Sequence, residues 1–392
     1  MSELSYLEKL LDGVEVEWKS LGDVVNFQRG RRLVKSQLET RGKYAVYQNS
    51  MTPLGYYHEY NVAAQSSFII CAGAAGEIGY SENEFWAADD VHFAITPEYI
   101  NDRFLFHFLL TQKNKISGQV RRASIPRLSK SVIEKLEFPI PCPDNPEKSL
   151  AIQSEIVRIL DKFTALTAEL TAELTAELNM RKKQYNYYRD QLLSFDEGEV
   201  EWKTLGEIAA YSKSRISFDK LDKNNYVGVD NLLQNRAGKM QSNYVPTSGN
   251  LTEFREGDIL IGNIRPYLKK IWQADSTGGT NGDVLVIRSC HKSILPRYLY
   301  QILADDNFFE YNMQHAKGAK MPRGNKDAIM KYRVPIPSFD EQTRIVTILD
   351  KFDTLTNSIS EGLPREIELR QKQYGHYRDL LFSFPKPEAA SN

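Results

Sequence analysis

The sequence contains few cysteines and no apolar run long enough to cross a bilayer. Its three cysteines, Cys71, Cys142 and Cys290, are widely spaced, which is typical of a reducing compartment and offers no zinc-ligand pattern. Apolar stretches such as 68–75 are far shorter than a membrane span, and the N-terminus lacks the layout of a signal peptide. We therefore expect a soluble cytoplasmic protein with buried or half-buried free thiols and no bound metal.

The sequence also lacks the motifs of common catalytic sites. The glycines of "GAAGEIG" (73–79) do not have the spacing of a dinucleotide fingerprint or a P-loop. The Asn-Pro-Pro-aromatic and Asp-Pro-Pro-aromatic runs typical of amino-group DNA methyltransferases are absent. Residues 17–19 and 201–203 match the acid-x-Lys part of a nuclease metal site without its upstream Pro-Asp partner, so an edge-strand or packing role is favoured. We predict that the chain is not an enzyme.

Four blocks of the sequence occur twice, which is the main clue to its organisation. The pairs are "VEVEWKSLGDV" (14–24) with "GEVEWKTLGEI" (198–208), "FPIP" (138–141) with "VPIP" (334–337), "IVRILDKF" (156–163) with "IVTILDKF" (345–352), and "RKKQYNYYRDQLLSF" (181–195) with "RQKQYGHYRDLLFSF" (370–384). We call the repeated blocks and the segments that join them the shared frames. They enclose two inserts of unlike sequence, roughly 23–137 and 207–333. Apolar strands and Gly-containing turns predict that each insert is an α+β domain of one diverged fold.

The frame after each PIP block predicts a long helix. Apolar residues recur at steps of three, four and seven, at Phe163, Leu166, Leu170, Leu174, Leu178, Tyr185, Tyr188, Leu192 and Phe195, and again at Phe352, Leu355, Ile359, Leu363, Ile367, Tyr374, Tyr377, Leu381 and Phe384. Such a narrow stripe indicates a coiled-coil seam, so the two helices would pack on each other. A long helix within a single globular core is the alternative. Gly362 and Pro364 should interrupt the second helix.

The tetrapeptide Thr-Ala-Glu-Leu occurs as three identical tandem copies in the first of these helices, at 167–178. Each unit would add about 6 Å of rise and a net rotation of about 40°, whereas one DNA base pair rises about 3.4 Å and turns about 36°. If the helices hold the two inserts apart, the number of repeats would set their separation. Glu169, Glu173 and Glu177 would then form a solvated face.

Basic residues cluster inside the inserts, although the whole chain is nearly neutral with 50 lysines and arginines against 51 aspartates and glutamates. Matching clusters flank Pro126-Arg127 and Pro322-Arg323, which lie at the same distance before each PIP block. Each cluster alone is equally well explained as a solvated surface, but the matched pair favours phosphate contacts. The predicted DNA-binding residues are Arg29, Arg31, Arg32, Lys35, Arg121, Arg122, Arg127, Lys130, Arg215, Arg265, Lys269, Lys270, Lys317, Lys320, Arg323 and Lys326.

Reading of DNA bases requires side chains that can present paired hydrogen-bond donors and acceptors to the base edges. Candidates near the Gly-rich turns are Gln28, Gln48, Asn49, Asn263, Arg265 and Asn281. For each of these residues alone, a role in stabilising a turn is the favoured alternative.

The sequences of the shared frames resemble those of the specificity subunit of type I restriction-modification systems. The similarity lies in "FPIPCPDNPEKSLAIQSEIVRILDKFTALTAEL" (138–170), "RKKQYNYYRDQLLSF" (181–195) and "VPIPSFDEQTRIVTILDKFD" (334–353), and the tandem TAEL is similar to that of the type IC branch. The resemblance implies an α+β fold with two target-recognition domains in a pseudo-twofold arrangement, joined by two long antiparallel helices. The predicted segments are 1–148 and 197–338 for the domains, 149–196 and 339–385 for the spacer helices, and 386–392 for a tail.

The same resemblance implies the function and the partners. Each domain would read one half of a bipartite, asymmetric site in double-stranded DNA, and the tetrapeptide count would tune the gap between the halves. The chain would bind no cofactor itself. Two methyltransferase subunits would carry S-adenosylmethionine and methylate adenine, and two restriction subunits would use ATP and magnesium for translocation and cleavage.

Two other interpretations remain open on the sequence alone. A stand-alone two-domain DNA-binding regulator would also carry basic clusters, and a coiled-coil adaptor would join two proteins without DNA. Tyr185, Tyr188, Tyr374 and Tyr377 would either pack the helix ends together or dock the methyltransferases.

Overall fold

The structure is a computed structural model that describes residues 6–122, 124–358 and 361–386. The chain divides into two compact units, formed by the described residues of 1–170 with 369–392 and by residues 171–368. No helix in the described part of the chain is long and apolar enough to cross a membrane. Cys71 is buried and Cys142 is half-buried, as expected, whereas Cys290 is exposed because it follows the end of a strand at the surface.

The first unit is built around the first insert. Its elements before the long helix are α1 (Tyr6–Leu11), β1 (Val16–Ser20), α2 (Leu21–Val24), β2 (Asn26–Arg29), β3 (Tyr44–Tyr47), β4 (Gly55–Tyr57), β5 (Ser66–Ile70), β6 (Ile78–Ser81), β7 (Phe85–Ala87), β8 (Val91–Ile95), α3 (Asp102–Thr111), α4 (Lys113–Gly118), α5 (Lys130–Glu134) and β9 (Glu137–Pro141). A four-stranded sheet has the order β2-β8-β5-β6, and a three-stranded sheet has the order β4-β3-β7. Helix α3 packs Phe104 and Phe108 into the core of this unit.

The helical frame follows in three pieces. These are α6 (Pro146–Leu193), which runs on from the first insert, and later α11 (Phe339–Asn357) and α12 (Gly362–Leu381). Helix α6 contributes residues up to 170 to the first unit and the remainder to the second. The break between α11 and α12 confirms the interruption predicted at Gly362, whose φ of +79° is outside the helical region. The domain and helix boundaries given from the sequence stay predictions.

The second unit repeats the architecture with the second insert. Its elements are β10 (Glu201–Thr204), α7 (Leu205–Ile208), β11 (Ala209–Tyr211), β12 (Arg215–Ser217), β13 (Asn250–Phe254), β14 (Ile259–Gly262), β15 (Ile271–Gln273), β16 (Gly278–Thr280), β17 (Val284–Ser289), α8 (Pro296–Leu303), α9 (Asp306–Gln314), α10 (Lys326–Ile329) and β18 (Arg333–Ile336). Its sheets have the orders β11-β17-β14-β15 and β12-β13-β16. The two unlike inserts therefore share one mixed α and β design, as predicted.

The repeated Trp and PIP blocks pair with each other in both units. Strand β1 runs antiparallel to β9 with Trp18 opposite Pro139, and β10 runs antiparallel to β18 with Trp202 opposite Pro335. Each pair closes its insert at the base, which explains why both blocks occur in both copies. The pairing of β1 with β9 agrees with the predicted edge-strand or packing role of this segment, and Lys19 forms an ion pair of 2.9 Å with Glu17 on the exposed side.

The helix ends pack through the predicted aromatic residues. In the first unit, the rings of Phe163 and Tyr377 stack with centroids 5.4 Å apart. In the second unit, Phe352 stacks on both Tyr185 and Tyr188. The early part of α6 thus contacts the late part of α12, and the late part of α6 contacts α11, which is the antiparallel pairing expected.

The apolar stripe of α6 is less buried than a simple coiled-coil seam would be. Leu166 is 50% exposed, whereas Ile152, Ile156 and Leu160 before it are buried in the core of the first unit. The start of the helix therefore belongs to a globular core, as the alternative interpretation held for the whole helix. The repeat region lies beyond that core, with Glu169 and Glu173 exposed as predicted, whereas Glu177 is half-buried and pairs with Arg181 at 2.7 Å.

Candidate nucleic-acid interface

A short basic hairpin precedes α5 in the first unit. Arg121 and Arg127 exchange two backbone hydrogen bonds of 2.9 and 3.1 Å, and both side chains are exposed. The hairpin is fixed to the segment after β5, because the Gly73 N–H donates to Pro126 O at 3.1 Å and the Leu128 N–H donates to Cys71 O at 2.8 Å. We call residues 121–127 the first basic hairpin; within it, Ala123 lies outside the described residues.

The second unit contains the same hairpin in the same place. Lys317 and Arg323 exchange two backbone hydrogen bonds of 2.9 Å each. The hairpin is fixed to the segment after β14 by the Arg265 N–H, which donates to Pro322 O at 2.7 Å, and by the Gly324 N–H, which donates to Asn263 O at 3.1 Å. Residues 317–323 form the second basic hairpin. The sequence-based match between the two Pro-Arg pairs is therefore also a match in backbone hydrogen bonding.

The exposed cations of the two hairpins differ in their surroundings. Arg122, Lys317 and Lys320 are exposed, whereas Arg323 donates to Asp283 at 2.7 Å. This aspartate was missed by the sequence analysis, although the repeated Asp-Val at 90–91 and 283–284 is a signal that could have found it. The ion pair reduces the net positive charge of the second hairpin relative to the first.

Arg29 at the end of β2 and Arg31 just after it are bound to residues 87–90, the end of β7 and the turn before β8. Arg29 Nε donates to Asp89 O at 2.6 Å, and the Arg31 N–H donates to Ala87 O at 2.9 Å. The same loop accepts a hydrogen bond from the Cys71 N–H at Asp90 O, at 2.7 Å. Arg32 and Lys35 follow on an exposed segment, with Lys35 in a short 3-10 turn.

Besides Arg29 and Arg323, four of the predicted cations bind other groups of the protein, and a further one, Lys326, is exposed. Lys269 Nζ binds Asp306 at 2.7 Å, and burial lowers the pKa of this lysine. Lys270 Nζ donates to Val229 O at 2.7 Å. The others are Lys130, which pairs with Glu134 at 2.9 Å, Arg215, which donates to Thr252 at 3.2 Å, and Lys326, which begins α10 with an exposed side chain. Lys269 and Lys270 are consequently poorer phosphate ligands than the hairpin residues.

The candidate base-reading residues fall into two groups. Asn49 lies beside the Gly-rich turn, since its carbonyl accepts from the Ala74 N–H at 2.9 Å and a Cβ at Gly73 would lie 2.7 Å from that oxygen. Gln48 and the exposed Gln28 and Arg265 are also near strand ends. By contrast, Asn281 accepts from the Asp283 N–H at 3.1 Å, which is the turn-stabilising role, and Asn263 is buried, so its side chain is not available to read bases.

The residues beneath the two hairpins, which we call their supports, differ in chemistry between the two units. In the first unit they are Cys71, Ile116 and Leu128, all buried, and burial raises the pKa of the Cys71 thiol to about 12. The thiol therefore stays neutral, with its Sγ 2.6 Å from His92 Nδ1. In the second unit the corresponding residues are Asn263, Asn312 and Gly324, and a Cβ at Gly324 would lie 2.5 Å from Asn312 Oδ1.

Comparison with known proteins places this architecture in a family. A family model described as the type I restriction modification DNA specificity domain matches residues 13–180 and 197–369, once for each copy. The specificity subunit of the type I restriction enzyme EcoR124I/EcoR124II from Escherichia coli is 40% identical over 419 aligned residues and covers 100% of both chains. The EcoprrI specificity subunit, also from Escherichia coli, is 35% identical and covers 92% of this chain and 93% of the relative.

A solved structure has the same fold. One of its chains superposes with a TM-score of 0.60 at 15% identity, covering 94% of this chain and 97% of that chain, and the structure concerns complex assembly and conformational transition of the type I R-M system. The relatives support a specificity subunit over a stand-alone regulator or a coiled-coil adaptor, and they agree with the prediction of a non-catalytic chain. This chain belongs to the family of type I restriction-modification specificity subunits.

Proposed function

We propose that each recognition domain of this chain reads one half of a bipartite, asymmetric site in double-stranded DNA through its basic hairpin and the neighbouring Gly-rich turn. The observation that carries this proposal is the pair of hairpins, 121–127 and 317–323, built by the same backbone hydrogen bonds in two inserts of unlike sequence. Exposed arginines and lysines at one position of each domain suit phosphate contacts, which fix position and supply affinity. The divergent residues around each hairpin supply the difference between the two half-sites.

The proposal assigns catalysis to partners. Two methyltransferase subunits would bind S-adenosylmethionine and methylate adenine, and two restriction subunits would use ATP and magnesium, so that this chain binds no cofactor and acts in the cytoplasm. The perfect TAEL tandem supports membership of the type IC branch. Tyr188 and Tyr377 support a docking role for the helix ends, since 44% and 38% of these side chains stay exposed after stacking on phenylalanines. Tyr185, which is only 3% exposed, has a packing role instead.

Exchange of one insert tests the proposal. Residues 23–137 are replaced by the corresponding insert of a relative, the full chain is assembled with matching methyltransferase subunits, and methylated adenines are mapped in genomic DNA. We expect a split motif in which one half changes and the other half is retained. The reciprocal exchange of 207–333 is the matched control and should change the other half.

Two results would contradict the proposal. An assembled complex that methylates the same motif after either exchange would show that the inserts do not select the sequence. An assembled wild-type complex that methylates no defined motif would show that this chain does not select a DNA sequence.

A further inference from the structure

Each helical frame holds its recognition domain through a buried glutamine. In the first unit, Gln153 of α6 accepts from the Asn101 N–H at 2.8 Å and donates to Tyr99 O at 3.0 Å. In the second unit, Gln342 of α11 accepts from the Leu295 N–H at 2.8 Å and donates to Ser293 O at 2.9 Å. Both glutamines are fully buried. They bind the backbone just before α3 and α8, so these contacts do not depend on the side chains of the insert.

An aspartate eight residues further along each helix makes a second contact to the same domain. Asp161 accepts from Arg103 Nε at 3.0 Å and from His107 Nε2 at 2.8 Å. Eight residues correspond to about 12 Å of helix, so the glutamine and the aspartate contact the domain at two separated points. We call Gln153 with Asp161 the first clamp.

The second clamp, Gln342 with Asp350, repeats this geometry. Asp350 accepts from Arg297 Nε at 2.8 Å and from Gln301 Nε2 at 2.7 Å. The inserts have therefore kept an arginine and, four residues later, a buried N–H donor, although the donor is a histidine in one copy and a glutamine in the other. Retention of the same hydrogen bonds by different side chains indicates that the contact itself is required.

The clamps differ in kind from the rest of the interface between each domain and its helix. In the first unit, Phe104 and Phe108 of α3 lie in the same buried apolar cluster as Ile156 and Leu160 of α6. Burial of apolar surface stabilises contact without specifying direction, whereas hydrogen bonds have strict distance and angle requirements. The clamps supply the directional part of the contact.

We propose that the two clamps are positioning devices that fix the angle of each recognition domain on its own spacer helix and thereby set how strictly the complex selects the gap between half-sites. The inference rests on the proposed function, in which each domain reads one half-site. A domain whose angle is not fixed would bring its hairpin to a range of positions along DNA. Loosened clamps therefore relax the gap requirement and leave the half-site sequences unchanged.

The test measures gap selection by the complete methyltransferase complex. Synthetic duplexes carry the two mapped half-sites with the natural gap, or with a gap one base pair shorter or longer, and initial methylation rates are compared. For Asp161→Ala and Asp350→Ala, we expect the preference for the natural gap to fall by about tenfold, in the range of couplings between contacting groups. His107→Gln, which installs the donor of the second copy in the first, is the matched control and should keep the natural preference.

Gap selection separates positioning from general destabilisation. A merely structural defect lowers methylation of all three duplexes alike. Arg297→Lys, which keeps the charge but loses the guanidinium geometry, provides a milder variant if an alanine variant fails to assemble, and it should relax the preference in the same direction. Assembled clamp variants that retain the natural preference would overturn the inference, as would a wild type that methylates all three gaps equally. Absence of methylation by the wild-type complex on any gap would instead overturn the proposed function and, with it, this inference.

Discussion

At the scale of single residues, the arginines of the first basic hairpin are the strongest candidates for phosphate contacts. Arg121, Arg122 and Arg127 are exposed, whereas Lys130 pairs with Glu134. The sequence could identify the cluster but could not rank its members, because the groups that engage a cation lie far away along the chain. Lys269 illustrates this, since its partner Asp306 is 37 residues away.

Replacement of Arg121, Arg122 and Arg127 by alanine together should weaken binding of the assembled complex to DNA of every sequence. Each lost phosphate contact lowers the slope of log K against log salt by about 0.9, so the slope should fall by about 2 to 3. A binding titration over a range of salt concentrations measures both effects. Lys130→Ala is the comparison variant and should change the slope less; an unchanged affinity and slope for the triple variant would remove this hairpin from the interface.

Asp102 predicts a pH dependence of stability in the first unit. Burial raises the pKa of this carboxyl to about 6, although Ser67 opposes the shift by donating hydrogen bonds to it. The folded chain then binds this proton more tightly than the unfolded chain, so the contribution to stability is present at low pH. It is lost as the pH rises from about 4 to about 6.

Asp102→Asn should remove that dependence. The free energy of unfolding of the wild type relative to the variant should fall by about 3 kcal/mol across this window, for a shift of about two pKa units. Denaturant unfolding of the full chain at several pH values measures the difference. The other carboxyls are the same in both proteins, so their contributions to the pH dependence of stability cancel. A constant difference between pH 4 and pH 7 would contradict the assigned shift.

At the scale of elements, the sequence predicted more of the frame than of the inserts. The repeated blocks located both helices and the break at Gly362, because the helical period and the helix-interrupting residues are local signals. The two hairpins could be matched only by their Pro-Arg pairs. Their backbone hydrogen bonds to 71–73 and 263–265 join residues 53 to 61 positions apart, which no local pattern encodes. The clamps were missed for the same reason, although Asp161 and Asp350 lie in a repeated block and a glutamine precedes each copy of that block by three residues.

The support of the second hairpin gives a prediction about this element. Gly324→Leu should destabilise the second unit by about 2 kcal/mol, as overpacking usually does, because a Cβ there would lie 2.5 Å from Asn312 Oδ1. The triple variant Asn263→Cys, Asn312→Ile, Gly324→Leu recreates the support of the first hairpin and should recover most of the loss. Thermal unfolding of the full chain compares the variants. A triple variant no more stable than the single one would mean that the two supports are not interchangeable.

At the scale of the whole molecule, the duplication extends to the segments that close each domain. In the first unit, Lys386 after α12 pairs with Glu137 and lies over the ring of Trp18. In the second unit, Glu197 after α6 pairs with Arg333, which lies over the ring of Trp202. The charges are exchanged between the partners while the arrangement is kept. Each recognition domain is therefore bound by two parts of the helical frame: the first domain by α6 and the segment after α12, and the second domain by the segment after α6 and by α11. In the proposed function, the length of that frame is the variable left to set the gap.

Deletion of one TAEL unit, residues 175–178, should shorten the gap between the methylated half-sites by about one base pair. The unit lies within α6 beyond the globular core, so its removal shortens the helix by about 6 Å and rotates it by about 40°. The rotation matches the turn of one base pair, about 36°, better than the rise matches its advance of about 3.4 Å. The expected change is therefore one base pair, with the sequences of both half-sites retained.

Single-molecule mapping of methylated adenine in cells that express the chain with matching methyltransferase subunits measures the gap directly. Glu173→Gln with Glu177→Gln is the matched control, because it alters the same segment without changing its length and should leave the gap as it is. An insertion of a fourth unit should lengthen the gap by the same step. A deletion variant that assembles and methylates half-sites separated by the natural gap would contradict this prediction. The helix would then bend or slide to compensate, and the number of repeats would not set the gap.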